Sequence, residues 1–407
     1  MPETVPVVTG GVDTHKEVHV AAVIDEQAKI IGTASFPATV IGYEELFGWM
    51  SSFGTVGRVG IEGTGSYGVG LTRYLTGRRV EVVEVNRPNR QLRRRRGKSD
   101  TVDAEAAARA ALSGDADGVP KSADGSVEGL RALRVARRSA VKARTQAGNQ
   151  IRDLIVNLPD ELRQQLTSLT LARQVELCST WQSRSGPEPL ATLHQTLGLL
   201  ARRHHALSAE VAELDDAIAG LCAQTNSALL AADGIGPDVA SALLVAAGDN
   251  PGRMRSEASF AALCGVNPLE ASSGKVTRHR LNRGGNRDAN NALWRIAMVR
   301  IAHHHPATEA YLKRRREEGK TDREILRCLK RYIAREVFHL LTEPDILPSG
   351  DQLRQMRCAA HVSLATAAAH LDTSAMRLSR LERGALHHRD LATSYHHWLT
   401  THLATAA

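Results

Sequence analysis

The sequence predicts an α/β domain of RNase-H-like order followed by a mostly α-helical remainder. Short β-branched runs alternate with helical patches from residue 5 to residue 85, the pattern turns entirely helical from about residue 125, and 407 residues are too many for one compact core. Residues 5–13, 17–25 and 29–37 read as three consecutive strands, the second with clear apolar alternation. A helical period over 41–53, a short buried strand at 57–62, a helix at 67–76, a fifth strand at 79–85 and a helix from about Thr101 complete the order βββαβαβα. That order assigns a fold class and leaves function to the side chains it carries.

Residues 125–225 form a helical region broken at Gly186-Pro187-Glu188-Pro189. Beyond the break Leu190, Leu193, Leu197, Leu200, Leu207, Val211, Leu214, Ile218 and Leu221 follow spacings of three and four, with His204 taking one seam position. The period suits a coiled coil joining subunits, or equally an amphipathic helix packed on its own chain; either way the segment is a spacer. Residues 226–345 form a mostly α-helical unit that opens on a helix, the turn Gly234-Ile235-Gly236 and a second helix. This resembles a helix-hairpin-helix element, whose turn amides meet phosphate, although a purely structural turn has the same pattern. The tail, 346–407, resembles a repressor-type helix-turn-helix between Val362 and Gly384, and is read either as a DNA-binding element or as a helical cap. The expected divisions are therefore 1–124, 125–225, 226–345 and 346–407.

Lys and Arg number 52 against 44 Asp and Glu, a formal charge of +8 that favours an anionic partner. Aromatics are 4% of the chain, which disfavours binding by many base-stacking platforms. The five cysteines are scattered without C-x-x-C spacing, so neither a disulfide framework nor a zinc site is expected. With no apolar run near ~18 residues and no signal-peptide pattern, the expectation is a soluble, cytoplasmic protein without a membrane partner.

Four acids stand where chemistry needs them. Asp13 ends the first strand in Gly11-Val12-Asp13-Thr14-His15-Lys16, and Glu62 ends the fourth in Gly60-Ile61-Glu62-Gly63. Neighbouring strands lie about 4.8 Å apart, so the two carboxylates can share a hard cation. Asp100 and Asp103 lie three apart at a helix start and share one face. Two carboxylates ~5 Å apart repel by about 3 kcal/mol at an effective dielectric of ~20, so four together call for metal; Mg²⁺ suits an all-carboxylate site better than zinc. Either Asp100 or Asp103 alone reads as a helix cap. Just upstream, Arg93, Arg94, Arg95, Arg96 and Lys98 would draw a phosphate-rich substrate to the acids, and Arg134 and Arg138 help give the next helix a basic face.

The second constellation is the Gly-rich, basic segment from Cys264 to Asn286. Ser273 precedes Gly274 among Lys275, Arg278, Arg280 and Arg283, so it reads as an ordinary Ser-Gly turn or as a nucleophile whose neighbours neutralise charge on a phosphoryl group. No His or Asp partner for it follows from spacing.

Together the motifs resemble the insertion-sequence-110 transposases, bridge-RNA-guided DEDD serine recombinases. Gly-Val-Asp13-Thr-His-Lys, Gly-Ile-Glu62-Gly-Thr-Gly-Ser-Tyr and Lys-Ser-Asp100-Thr-Val-Asp103-Ala are similar to that family's four-acid signature. Pro-Leu-Glu-Ala-Ser-Ser273-Gly274 followed by Arg-Gly-Gly-Asn resembles its nucleophile motif, and the likeness spans roughly residues 5–345. The resemblance implies a RuvC-like domain binding Mg²⁺ through Asp13, Glu62, Asp100 and Asp103. It also implies a coiled coil, and a transposase domain whose serine before the glycine, mapping onto Ser273 with Ser272 as the alternative, forms a covalent phosphoserine link to DNA. Further implied are a composite site shared between subunits, a structured guide RNA pairing with donor and target DNA, and a dimer to tetramer. A metal-dependent junction-resolvase-like endonuclease without a serine adduct is the competing reading. A sugar-kinase-like ATPase and a catalytically silent DNA-binding regulator are weaker ones.

Overall fold

The computed structural model describes residues 5–85, 99–181, 188–274, 279–342, 348–386 and 388–406. Of the expected nucleic-acid contacts, Arg93, Arg94, Arg95, Arg96, Lys98, Lys275 and Arg278 lie outside the described residues. The chain forms two compact units, Met1–Gly125 with Ala247–Ser259, and Ser126–Ala246 with Phe260–Ala407.

The first unit is built on a five-stranded sheet in the order β3-β2-β1-β4-β5. Its strands are β1 Val7–Thr14, β2 Val18–Ile24, β3 Ile30–Pro37, β4 Thr55–Ile61 and β5 Glu81–Glu84. β1 is antiparallel to β2 and parallel to β4, β2 is antiparallel to β3, and β4 is parallel to β5. This mixed sheet is consistent with the RNase-H-like domain expected from the element order. β1 and β2 are buried along almost their whole length because helices cover both faces. On one face, helices α1 (Val40–Ser51) and α2 (Val69–Gly77) bury Leu46, Met50, Leu71 and Leu75 against Val12, Val59 and Ile61.

Helix α3 (Asp100–Ser113) lies on the other face, with Ala104, Ala107, Ala108 and Ala111 buried. Small residues on both sides let the backbones approach. A Cβ on Gly11 would lie 2.2 Å from the Ala104 carbonyl oxygen and the Ala108 amide, and one on Gly60 would lie 2.5 Å from the Ala107 carbonyl. The sequence gives no sign that residues 247–259 return to this unit. There the Asn250 side chain accepts from the Ser122 amide at 3.1 Å and donates to the Pro120 carbonyl at 3.0 Å, while Arg253 donates to the Val119 carbonyl and faces Glu84.

Among its described residues the second unit is helical apart from one small hairpin. Helices α4 (Ser126–Ile155) and α7 (Glu188–Thr225) run antiparallel: Ser126 meets Thr225, Gly129 lies against Leu221, Arg137 pairs with Asp215, and Gly148 lies near His204. Helices α5 (Asp160–Thr167) and α6 (Leu171–Ser179) close one end over Ile151, Ile155, Val175 and Leu197. Part of the apolar repeat is thus covered inside the chain, where Leu197, Val211 and Ile218 are buried.

Helices α8 (Ser227–Ala231) and α9 (Pro237–Ala247) flank the Gly234 turn, where Gly234 has φ +80°. Arg300, itself buried, donates to the Asp233 carbonyl and grips both oxygens of Glu336, so this turn is fastened from within. Then follow α10 (Glu257–Leu263), β6 (Pro268–Glu270), β7 (His279–Leu281), α11 (Arg287–Ala302), α12 (Pro306–Glu317) and α13 (Asp322–Thr342). The tail contains α14 (Gly350–Ala359), α15 (Leu364–His370), α16 (Ala375–Glu382) and α17 (Arg389–Ala406). Among the described residues no helix is long and apolar enough to cross a membrane, and the cysteines are free.

Candidate metal centre and basic hairpin

Strand parity decides where the acids of the first unit point. Gly11 faces α3, so Asp13, two residues on, faces the same side. Glu62 follows just past β4, next to the end of β1: the register pairs Val12 with Ile61, and the Glu62 amide donates to the Val12 carbonyl at 3.0 Å, while the acids whose charges act on Asp13 are Asp103 and Asp100. The Thr14 hydroxyl donates to the Glu62 carbonyl at 2.7 Å and joins the two strand ends. On α3 the stripe that buries Ala107 and Ala111 continues at i−4 to the buried Asp103 and one turn further to Asp100. Ser99 caps the helix by accepting from the Val102 amide, so neither aspartate is needed as the cap.

Asp13, His15 and Asp100 converge: one ligand atom from each lies within 4.8 Å of the others. His15 Nε2 stands 3.2 Å from Asp13 Oδ2 and 3.4 Å from Asp100 Oδ1. Burial raises the Asp13 carboxyl above its usual 3.8; the charges of Asp103 and Asp100 push the same way, and His15 offsets part of the rise. The geometry therefore brings together Asp13 and Asp100, sets Asp103 within electrostatic reach of Asp13, and puts Glu62 at the adjoining strand end. His15 was not among the expected ligands. It lies just beyond the end of β1, where strand parity no longer applies, so the sequence carries no signal for it beyond nearness to Asp13.

Ser273 is presented differently from expectation. Within the polar loop β6 pairs antiparallel with β7 to form a hairpin arm, and Ser272, Ser273 and Gly274 follow shortly after β6. All three are exposed, and Gly274 has φ +58° with open space, nothing within 4 Å, where a Cβ would stand. Arg280 and Arg283 are exposed on the returning side. The Arg-Gly-Gly-Asn run is the arm's foundation. A Cβ on Gly285 would lie 2.2 Å from the Gly265 amide, the Asn286 amide donates to the Leu263 carbonyl, and the Asn286 side chain caps α11 by accepting from the Ala289 amide. Asn282 ties the two sides by donating to Asn267 Oδ1 at 2.7 Å.

Beside the arm lies a cavity of about 880 Å³ whose wall includes Arg280, Arg314, Lys320, Arg327, Arg331 and Arg335. Glu324 is the single acid on that wall among the described residues. So dense a cationic wall attracts phosphate and repels other cations. Sequence reading missed it, although Arg327, Arg331 and Arg335 repeat every four residues along α13.

Arg134 corrects an expectation. It turns inward, 14% exposed at its side chain, and donates to the Asp238 carboxylate and the Ser241 hydroxyl instead of offering itself to phosphate. Asp238 also receives Arg295 and faces Arg137. Arg138 is largely exposed but bonded to Asp288 at 2.6 Å.

Two family models match the chain. A model for the DEDD transposase domain of IS110 elements matches residues 10–158, and one described as "Transposase IS116/IS110/IS902 family" matches residues 226–313. Together they span more than half of the chain, including the four acids and the hairpin arm. No curated protein matches significantly.

Proposed function

The chain belongs to the insertion-sequence-110 family of transposases, and within it we propose that the protein excises and inserts its element by Mg²⁺-dependent, serine-mediated strand exchange. Family membership itself carries DNA binding, cleavage and rejoining. The observation supporting the finer reading is the convergence of Asp13, His15 and Asp100, with Asp103 buried alongside and Glu62 at the neighbouring strand end. Carboxylate oxygens with one imidazole fit a hard divalent cation, held by Asp13, Asp100, Asp103 and Glu62. When bound, that ion supplies positive charge to the scissile phosphodiester.

Ser273 Oγ attacks the phosphorus, a new O–P bond forms, and the bond to one deoxyribose oxygen breaks. The serine proton and the departing oxygen balance as a free sugar hydroxyl. Rejoining reverses the step, with a hydroxyl of the other strand attacking and Ser273 leaving. Arg280 and Arg283, with Lys275 and Arg278 of the same loop, neutralise the charge that develops on phosphate. The cationic cavity wall and the run of Arg93, Arg94, Arg95, Arg96 and Lys98 hold backbone without reading sequence. A structured guide RNA selects donor and target by base pairing, in an assembly of two to four copies.

The test is to incubate the protein with RNA from its element's non-coding end and labelled element-end DNA, then run denaturing gels. A protein–DNA adduct that needs Mg²⁺, persists in Ser272→Ala and vanishes in Ser273→Ala is expected. Cleavage without any adduct would replace this mechanism with hydrolysis by an endonuclease.

A further inference from the structure

Neither family match reaches the tail. Its four helices form their own core: Leu353, Ala367, Leu378, Leu381, Ala392, Tyr395 and Leu399 are buried together. Helices α15 and α16 are joined by residues 371–374, with Asp372 at φ +49°, a left-handed position that Asp tolerates better than most residues. Ser363 and Ser374 cap the two helices by accepting from the Thr366 and Arg377 amides.

Helix α16 is held from behind by an ionic staple. Buried Glu382 accepts from Arg357 Nε at 2.7 Å, from Arg357 Nη2 at 3.0 Å and from the Tyr395 hydroxyl at 2.7 Å. Burial and this hydrogen bond hold the Tyr395 hydroxyl far above its usual range. Leu378 and Leu381 point into the core from the same side as Glu382.

The outward side of α16 carries Met376, Arg377 and Arg380, all exposed and grouped within about a third of the helix circumference, and exposed Arg383 follows at the C-cap with its Nε donating to the Ser379 carbonyl at 3.2 Å. Neither Arg377 nor Arg380 has a described carboxylate partner. We propose that this face of α16 reads the major groove of duplex DNA, giving the protein a sequence address independent of any guide RNA.

Shape and chemistry select that occupant. Eight residues span about 12 Å, and a helix of that bulk enters the roughly 12 Å wide major groove of B-DNA. The deep, narrow major groove of A-form RNA excludes it. The face bears no aromatic ring, so single strands find no stacking platform there. Arginine forks match guanine edges, and a thioether against a thymine methyl adds apolar contact.

Full-length protein in EDTA, without RNA, is challenged with a randomised 20-base-pair duplex library and, separately, a randomised RNA library. Wild type and Ser273→Ala should enrich the same short DNA motif, and Arg377→Ala/Arg380→Ala should lose it, with affinity for the selected duplex down about ten-fold or more. Circular dichroism melts check that the double variant is folded. Arg380→Lys, which keeps charge but not the fork, should retain salt-dependent affinity and relax the motif. No enriched duplex motif, a motif unchanged in the double variant, or enrichment confined to RNA overturns the proposal. Because Ser273→Ala is expected to bind normally, failure here is separable from failure of the strand-exchange mechanism.

Discussion

The Asp13 carboxyl is 8% exposed and lies beside two further acids, an arrangement in which its ionised form opposes folding unless positive charge arrives. The sign follows from the direction of the shift. The folded value lies above 3.8, so the fold favours the neutral form; that contribution is complete below 3.8 and is lost as pH rises through the folded value. In its ionised form the side chain is a net cost that a bound cation would offset. Asp13→Asn keeps the shape and removes the charge. In EDTA it should melt a few degrees above wild type, while strand cleavage in Mg²⁺ falls about a hundred-fold or more. A thermal scan with and without cation checks both halves, and a lower melt in EDTA would mean that His15 already neutralises the site. Asp13 was legible as a candidate because an acid at a strand end stands out. His15 was not, because its value lies in the 3.2 and 3.4 Å contacts to two acids, one of them on a helix far along the chain.

Among the elements, α3 does the positioning, and it does so through glycine. The sequence showed two aspartates at a helix start but not how closely that helix would press on the sheet. With the Ala104 carbonyl 2.2 Å from a Cβ on residue 11, Gly11→Ala must push α3 outward and carry Asp100 and Asp103 with it. The expected cost is about 2–3 kcal/mol, with loss of cleavage beyond what the instability explains. Gly48→Ala in α1 is the contrast: its Cβ meets nothing within 4 Å, so about 0.5–1 kcal/mol of stabilisation is expected with cleavage unchanged. Equal melting of the two variants would refute the role given to close approach. The strands were readable because short β-branched runs bounded by turn residues mark them, whether nearly all buried, as in β1 and β2, or half exposed, as in β3. The β6–β7 arm was not, since its strands are three residues long and mostly exposed, and no hydrophobic period marks them.

Across the whole molecule, sequence separation sets the limit of legibility. Asp238 illustrates it: its partners Arg134 and Arg295 come from helices more than 50 residues away on either side, and no local pattern announces them. The basic face read on α4 was real in composition, yet Arg134 and Arg137 are used to fasten α4 to α9, with Arg295 of α11 joining them. Burial alone would raise the Asp238 carboxyl, but the Arg295 hydrogen bond and the charges of Arg134, Arg295 and Arg137 outweigh it and hold it below 3.8. A depressed folded value contributes stability that is present above 3.8 and disappears as pH falls through the folded value. Asp238→Asn should therefore melt well below wild type at pH 7, by an amount equivalent to about 2–4 kcal/mol, because Arg134 and Arg295 then lose their counter-charge while Arg137 keeps Asp215. The gap should shrink as pH is lowered and close once wild-type Asp238 is protonated as well. Melting curves of both proteins between pH 7 and pH 2.5 test this, and a gap that stays constant across the range would show that the side chain is held by shape rather than by charge.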